Sequence, residues 1–232
     1  MTPVYEEYYR KHGSARNDLL HNPEVIFQMF ALERANIRAL SRLELNPADA
    51  KVLDVGCGTG ASLFQFVRLG FRPENLSGVD ASAERIAEAR KRILSADFRC
   101  ESADAMSYEA AAFDLVFEST LFMMLTSDEE ARRIAAEMLR VARPGGYVML
   151  ADWRYAEPRS KTHKAVSTKR IRGLFDVGGA TEIVTRVRGA LIPPLGRFLS
   201  RRAPALYFAV QAIFPLAAGQ ITTVLRKVPA RS

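Results

Sequence analysis

Apolar residues recur along this chain at two alternating periods, and the alternation is its strongest fold signal. Val25 to Leu43 has apolar positions at helical spacing with few breakers and predicts a helix ending before Asn46-Pro47. A short strand, Lys51 to Val55, is followed by a glycine cluster and a helix from Ala61 to Leu69, which Gly70 closes as a left-handed cap. Leu76 to Val79 reads as a second strand. Ser82 can accept a hydrogen bond at the start of an alanine-rich helix to about Leu94, after which Asp97 to Glu101 and Phe113 to Phe117 read as strands three and four. Ser127, with Glu130 three residues on, opens a helix to about Ala142 as a capping box, and Pro144-Gly145-Gly146 turns the chain into strand Tyr147 to Ala151. Strands alternating with helices imply right-handed crossovers and a parallel sheet covered on both faces. The site of such a sheet lies outside the carboxyl ends of its strands.

The pattern changes after the fifth strand. Glu182 to Arg188 and Gln220 to Val228 read as an antiparallel pair, separated by a stretch rich in proline, arginine and aromatics that reads as a helical insertion. Ala203 to Ala218 is apolar apart from Gln211, but it spans 16 residues and contains Pro215, whereas a membrane span needs about 20. It predicts a helix packed on the sheet or lidding the site, with interfacial membrane contact or a dimer surface as the alternative. The expected organisation is a helical cap over residues 1–46 and one α/β domain over 47–232, with the insertion at about 190–218.

Composition narrows the class. Hydrophobic residues at 48% and charged ones at 25% exclude a disordered, collagen-like or coiled-coil chain. Cys57 and Cys100 cannot form a disulfide framework, and no export signal opens the sequence, so the expectation is cytoplasmic. The net charge of +7 is unevenly spread: residues 1–150 carry 18 Lys and Arg against 22 Asp and Glu, and residues 151–232 carry 15 against 4. A basic tail suits an anionic substrate, a membrane surface or nucleic acid.

The chemistry concentrates in Val52-Leu53-Asp54-Val55-Gly56-Cys57-Gly58-Thr59-Gly60, a strand running into a glycine-rich turn and then a helix. Read loosely, Gly56, Gly58 and Ala61 fit a dinucleotide fingerprint, with Asp80 where a ribose-binding acid belongs. Charge separates the possibilities, because Asp54 would set a carboxylate almost against a pyrophosphate. A ligand with an ammonium and a sulfonium would instead be attracted, keeping its ribose on Asp80 and its adenine amino group near Asp104. S-adenosylmethionine has those groups.

These residues resemble the class I S-adenosylmethionine-dependent methyltransferases over residues 48–152. The resemblance rests on the loop from Asp54 to Gly60, the Gly78-Val79-Asp80-Ala81-Ser82 turn, Asp104-Ala105, Phe113-Asp114-Leu115-Val116, and Leu139 to Val148. It implies a Rossmann-like doubly wound α/β sheet of seven strands in the order 3-2-1-4-5-7-6, the last antiparallel. It also implies that Asp54, Gly56, Cys57, Gly58 and Gly60 sit beside the methionine part, that Asp80 and Ala81 hold the ribose, and that Asp104 and Ala105 flank adenine. Glu118 would lie near cofactor or acceptor. An N-terminal lid, Tyr5 to Arg16, would offer Tyr8, Tyr9 and Arg16, the last pairing with the cofactor carboxylate.

Methyl transfer is an in-line displacement, so alignment and exclusion of water supply much of the rate. For a hydroxyl acceptor a general base must lie within hydrogen-bond reach. Asp152, following the fifth strand, is the best placed; His163 in the tail is another candidate, and His12 and His21 could enter from the lid. The scattered histidines predict no metal site, and neither thiol is expected to be catalytic. Trp153, Arg154 and Tyr155, then Arg159, Lys161, Lys164, Lys169, Arg170 and Arg172, and later Leu191 to Phe214 with Arg201, would wall an amphipathic or anionic acceptor. The arrangement is similar to methyltransferases of bacterial glycan and glycolipid biosynthesis, which points to O-methylation of a small-molecule, natural-product or lipid-linked saccharide hydroxyl, with peripheral contact at the inner membrane surface. The rival classes are an RNA methyltransferase using the basic tail and a non-catalytic nucleotide-binding module.

Overall fold

A computed structural model describes residues 20–156 and 162–229. The expected lid with Tyr8, Tyr9, His12 and Arg16, and the tail residues Arg159 and Lys161, lie outside the described residues.

Seven strands form one sheet in the order β3-β2-β1-β4-β5-β7-β6. They are β1 Val52–Val55, β2 Leu76–Asp80, β3 Asp97–Cys100, β4 Phe113–Ser119, β5 Ala142–Trp153, β6 Thr181–Arg188 and β7 Gln220–Lys227. β1 to β5 run parallel, and β7 runs antiparallel to both β5 and β6. β1 and β2 are buried at every position, as strands covered on both faces must be.

The helices are α1 Ile26–Leu40, α2 Ala61–Arg68, α3 Ala83–Arg92, α4 Asp128–Val141, α5 Thr168–Leu174, α6 Pro193–Arg202 and α7 Tyr207–Ile213. One face of the sheet buries Ala35 and Ala39 of α1, Leu63 and Phe66 of α2, and Ile86 and Ala89 of α3. The other buries Ile134 and Met138 of α4 and Ile171 of α5. The predicted caps form: the Ser82 hydroxyl accepts from the Arg85 N–H at 3.5 Å, and that of Ser127 from the Glu130 N–H at 3.3 Å.

Three differences from the sequence reading have physical causes. The first helix stops at Leu40, with turn residues at 41–43. β5 begins at Ala142 and not Tyr147, because Ala142 pairs with Phe113 before residues 143–146 loop out and pairing resumes at Leu115 with Tyr147. Gly145, at φ 74°, makes the turn inside this strand. The insertion is several short pieces instead of one helix over Ala203 to Ala218. Pro193-Pro194 start α6, Pro204 opens a 3-10 turn before α7, and Pro215 ends α7 in another. A third apolar cluster, Ala31, Ala190, Leu191, Leu199 and Tyr207, fastens the insertion to α1.

Candidate functional site

β1 delivers the chain into a turn that only glycines complete without strain: Gly56, Gly58 and Gly60 have φ values of 74°, 53° and 79°. The N–H groups of Gly56 and Cys57 both donate to the Val79 carbonyl, at 2.8 and 3.0 Å, binding the turn to the end of β2. Asp80 then anchors it from the side. Its Oδ2 accepts the Gly58 N–H at 3.0 Å, and its Oδ1 accepts the Ser82 N–H at 2.9 Å, so one carboxylate orders both the glycine turn and the entry to α3. Ala81 lies between these contacts.

Beneath the turn sits Asp54, 1% exposed, with an Oδ2 that has no hydrogen-bond partner among the described residues. Burial, followed by the nearby Asp80 carboxylate, pushes its pKa up to about 8. Cys57 is buried beside it, and burial together with Asp54 and Asp80 drives its thiol far above the ordinary range, which disfavours the thiolate form.

Two further acids stand at the ends of β4 and β5. Glu118 is fully buried; its Oε2 accepts the Leu121 N–H at 2.8 Å, while Oε1 has no partner among the described residues. Burial, then the charges of Asp152 and Asp54, raise its pKa well above the carboxylate range. Asp152 accepts the Met123 N–H at 2.9 Å and the Trp153 N–H at 2.7 Å. Burial raises it to about 7 against the opposing pull of those N–H groups and of Arg170. The sheet thus brings Asp54, Glu118 and Asp152 together at the ends of adjacent strands.

The segment after β4 closes over this group and was invisible to spacing arguments. Thr120 has a φ of 61°, a left-handed conformation that a β-branched residue adopts only under constraint. A Cβ added to Gly56 would meet Leu121 Cδ1 at 3.3 Å, so this segment abuts the glycine turn. Arg170 clamps it from α5, donating to the carbonyls of Phe122 at 2.9 Å and Leu125 at 2.8 Å. Lys164 joins the clamp, its N–H reaching the Met123 carbonyl at 2.7 Å and its Nζ lying 2.6 Å from Asp128. Arg170 and Lys164, expected in an acceptor wall, are therefore spent on holding the protein's own loop.

Other expected site residues divide. Asp104 sits beyond β3 with its oxygens taken by the Ser102 hydroxyl and by Arg133, at 3.0 Å, and those partners hold its carboxyl below the ordinary range. Ala105 completes the same turn through its N–H to the Ser102 carbonyl. His163 Nδ1 lies 3.1 Å from the Thr162 hydroxyl. Trp153 packs into the cluster beneath the insertion. Arg154 and Tyr155 stack at 4.6 Å and grip the insertion's end, whereas Arg201 pairs with Glu24 at 3.5 Å, next to α1. Among the described residues no group of three or more His, Cys, Asp or Glu is placed to hold a metal ion.

Known proteins resemble this chain in sequence and in fold. Residues 52–146 match a family described as a methyltransferase domain. The 2-methyl-6-phytyl-1,4-hydroquinone methyltransferase of Synechocystis sp. is 31% identical over 121 residues, 50% of this chain and 36% of that protein. The phthiotriol/phenolphthiotriol dimycocerosates methyltransferase of Mycobacterium tuberculosis is 26% identical over 173 residues, 66% of this chain and 63% of that protein. The chain thus spans less than two thirds of either relative. The geranyl diphosphate C-methyltransferase of Streptomyces coelicolor A3(2), solved with Mg2+, geranyl diphosphate and S-adenosyl-L-homocysteine, shares the fold at 18% identity. Its TM-score is 0.65, over 98% of this chain and 99% of that one.

Proposed function

We propose that this chain is a class I S-adenosylmethionine-dependent methyltransferase, a reading supported by the methyltransferase-domain match over residues 52–146, and that it methylates a hydroxyl of an apolar or lipid-linked small molecule. The observation that carries this reading is the buried Asp54 carboxyl beneath the glycine turn, with one oxygen unpartnered among the described residues. A diphosphate at this turn would face a carboxylate in a low-dielectric setting, whereas an ammonium or sulfonium supplies the counter-charge that Asp54 lacks. S-adenosylmethionine, when bound, supplies a methyl carbon made electrophilic by its sulfonium.

The chain's own residues bind and align. Gly56, Cys57, Gly58 and Gly60 let the backbone approach the methionine part closely. Asp80, beside Ala81, accepts ribose hydroxyls on the lone pairs not used by Gly58 and Ser82. Asp104 and Ala105 border the adenine, and Glu118 borders the reacting end. Asp152 has a proton affinity suited to a base near neutral pH, with a pKa of about 7. Each of its oxygens accepts one backbone N–H, which leaves a further lone pair on each for an acceptor hydroxyl. The apolar acceptor class draws support from the relatives, one named for a phytyl hydroquinone and one for phthiotriol dimycocerosates.

Calorimetric titration of the protein with S-adenosylmethionine, S-adenosylhomocysteine and NAD+ tests the reading. Binding of the first two is expected; binding of NAD+ with neither of them would overturn it.

A further inference from the structure

Two buried acids hold the segment that follows β4, and one of them, Glu118, faces other acids. Leu150 of β5 stands directly across from Glu118 of β4. Val116 and Leu150 both face the core beneath α4 and α5, so strand alternation puts Glu118 and Asp152 on that same face. Both are buried, at 0% and 3% exposure. Between them they accept the N–H groups of Leu121 and Met123, at 2.8 and 2.9 Å, and so fix the start of the turn whose carbonyls Arg170 holds. Asp152 has the Arg170 guanidinium for a counter-charge, which Arg170 shares with Asp128 at 3.7 Å, where Lys164 also binds. The charges that bear on Glu118 are those of Asp152 and of Asp54 on β1, both acidic.

These surroundings favour a neutral Glu118. Its Oε1 is buried and unpartnered among the described residues, and an ionised oxygen in that setting costs far more than one that carries a proton. A second carboxylate on the same face as Asp152 would add repulsion at low dielectric. The neutral form keeps Oε2 for the Leu121 N–H and carries its proton on Oε1. Leu121 in turn is the side chain that a Cβ on Gly56 would meet at 3.3 Å, and Thr120, just before it, is held at a φ of 61°. The contact thus runs from Glu118 through Leu121 to the glycine turn.

We propose that Glu118 is a positioning residue that works as the neutral acid, seating Leu121 against the glycine turn through its backbone N–H and so shaping the cofactor site from the β4 side. This inference rests on the reading of that turn as the cofactor site, but the neutral state of Glu118 can be tested without any cofactor.

Melting temperature across pH tests the neutral state on the full chain alone, comparing the native protein with Glu118→Gln. An acid kept neutral by the fold stabilises it fully below the unfolded carboxyl range, near about 4, and that contribution is lost as pH rises toward the raised folded value. The amide does not titrate, whereas Asp54 and Asp152 titrate in both proteins, so the difference reports Glu118. The variant's melting temperature should climb relative to the native one as pH is raised above about 4; a constant difference, or one of opposite slope, overturns the proposal. Calorimetry with S-adenosylmethionine tests the seating. Glu118→Gln, whose amide oxygen still accepts the Leu121 N–H, should bind within about twofold of the native protein, while Glu118→Leu and Leu121→Ala should each lose about tenfold. Because both losses act through one contact, the double variant should lose little more than either alone. Additive losses overturn the route through Leu121, as does unchanged affinity in Glu118→Leu. Should Glu118→Leu not fold, a loss in Glu118→Gln as large as that in Leu121→Ala overturns the proposal. A native chain that binds no S-adenosylmethionine would overturn the cofactor reading and the seating role with it, while the melting series still decides the neutral state.

Discussion

The two sides of the sheet's carboxyl rim differ in how far their polar groups are satisfied within the chain. On the β1, β2 and β4 side, buried acids surround a glycine turn, and two of them, Asp54 and Glu118, keep an oxygen without a partner among the described residues. On the β5 side, Asp152 accepts two backbone N–H groups, and Arg154 holds the exposed apolar end of the insertion through the carbonyls of Pro215 and Leu216. The first side is electrostatically incomplete and favours a cation; the second is tied to the protein's own segments. The contrast also separates what a variant should do, since damage to one rim need not reach the other.

The largest expected effect comes from Asp80→Ala. It removes acceptors for the Gly58 and Ser82 N–H groups, leaving two donors unpaired and the glycine turn unanchored. Affinity for S-adenosylmethionine should fall by about 100-fold or more, since charge-assisted bonds contribute about 1.5–3 kcal/mol each. Calorimetry measures this, and unchanged affinity would remove Asp80 from the cofactor site.

Next in size is the pH dependence that Asp54 imposes. Its pKa is raised to about 8 in the ligand-free protein, so a cationic ligand that binds the ionised form must displace a proton at lower pH. Affinity should therefore rise about tenfold per unit as pH approaches 8 and level off above it, with proton release measurable by titration in buffers of different ionisation enthalpy. Asp54→Asn should flatten the profile. Stability carries the complementary sign. The unfolded carboxyl titrates near 4, so Asp54 stabilises the ligand-free fold fully below that pH. The contribution is lost as pH rises through about 8, where the asparagine variant should melt higher than the native protein.

The acidic rim was the more legible of the two in sequence, and locality is the reason. Asp54 and the glycines occupy seven consecutive residues, and Asp80 and Ser82 fall within one strand-to-helix junction, so order along the chain already placed them in space. Both serine caps followed from the same short-range signals, whereas the strand order came from the family resemblance. The rest depends on contacts distant in sequence. Arg170 reaches carbonyls 45 and 48 residues away, and Arg154 grips residues 61 and 62 positions on. A count of basic residues could not tell a clamp such as Arg170 from a binding residue, and hydropathy alone could not show that prolines would cut the insertion into short helices. Thr120 left no trace in sequence, because only the completed fold forces it to a positive φ.

Asp152→Asn should act mainly on transfer. If Asp152 accepts the acceptor's proton, the variant loses the limb near pH 7 in its rate profile and keeps its affinity for S-adenosylmethionine. If it serves only to hold Met123 and Trp153, the limb stays and KM for the acceptor rises, because an amide can accept only one of the two N–H groups. Comparison of the kcat and KM profiles distinguishes the two roles.

The smallest effect is expected from Arg201→Ser, and its smallness sharpens the comparison. Arg201 belongs to the same basic tail as Arg172, but it pairs with Glu24 at 3.5 Å and its side chain is 71% exposed. Such a pair contributes roughly 0–1 kcal/mol and is screened by salt, so melting temperature and cofactor affinity should barely move.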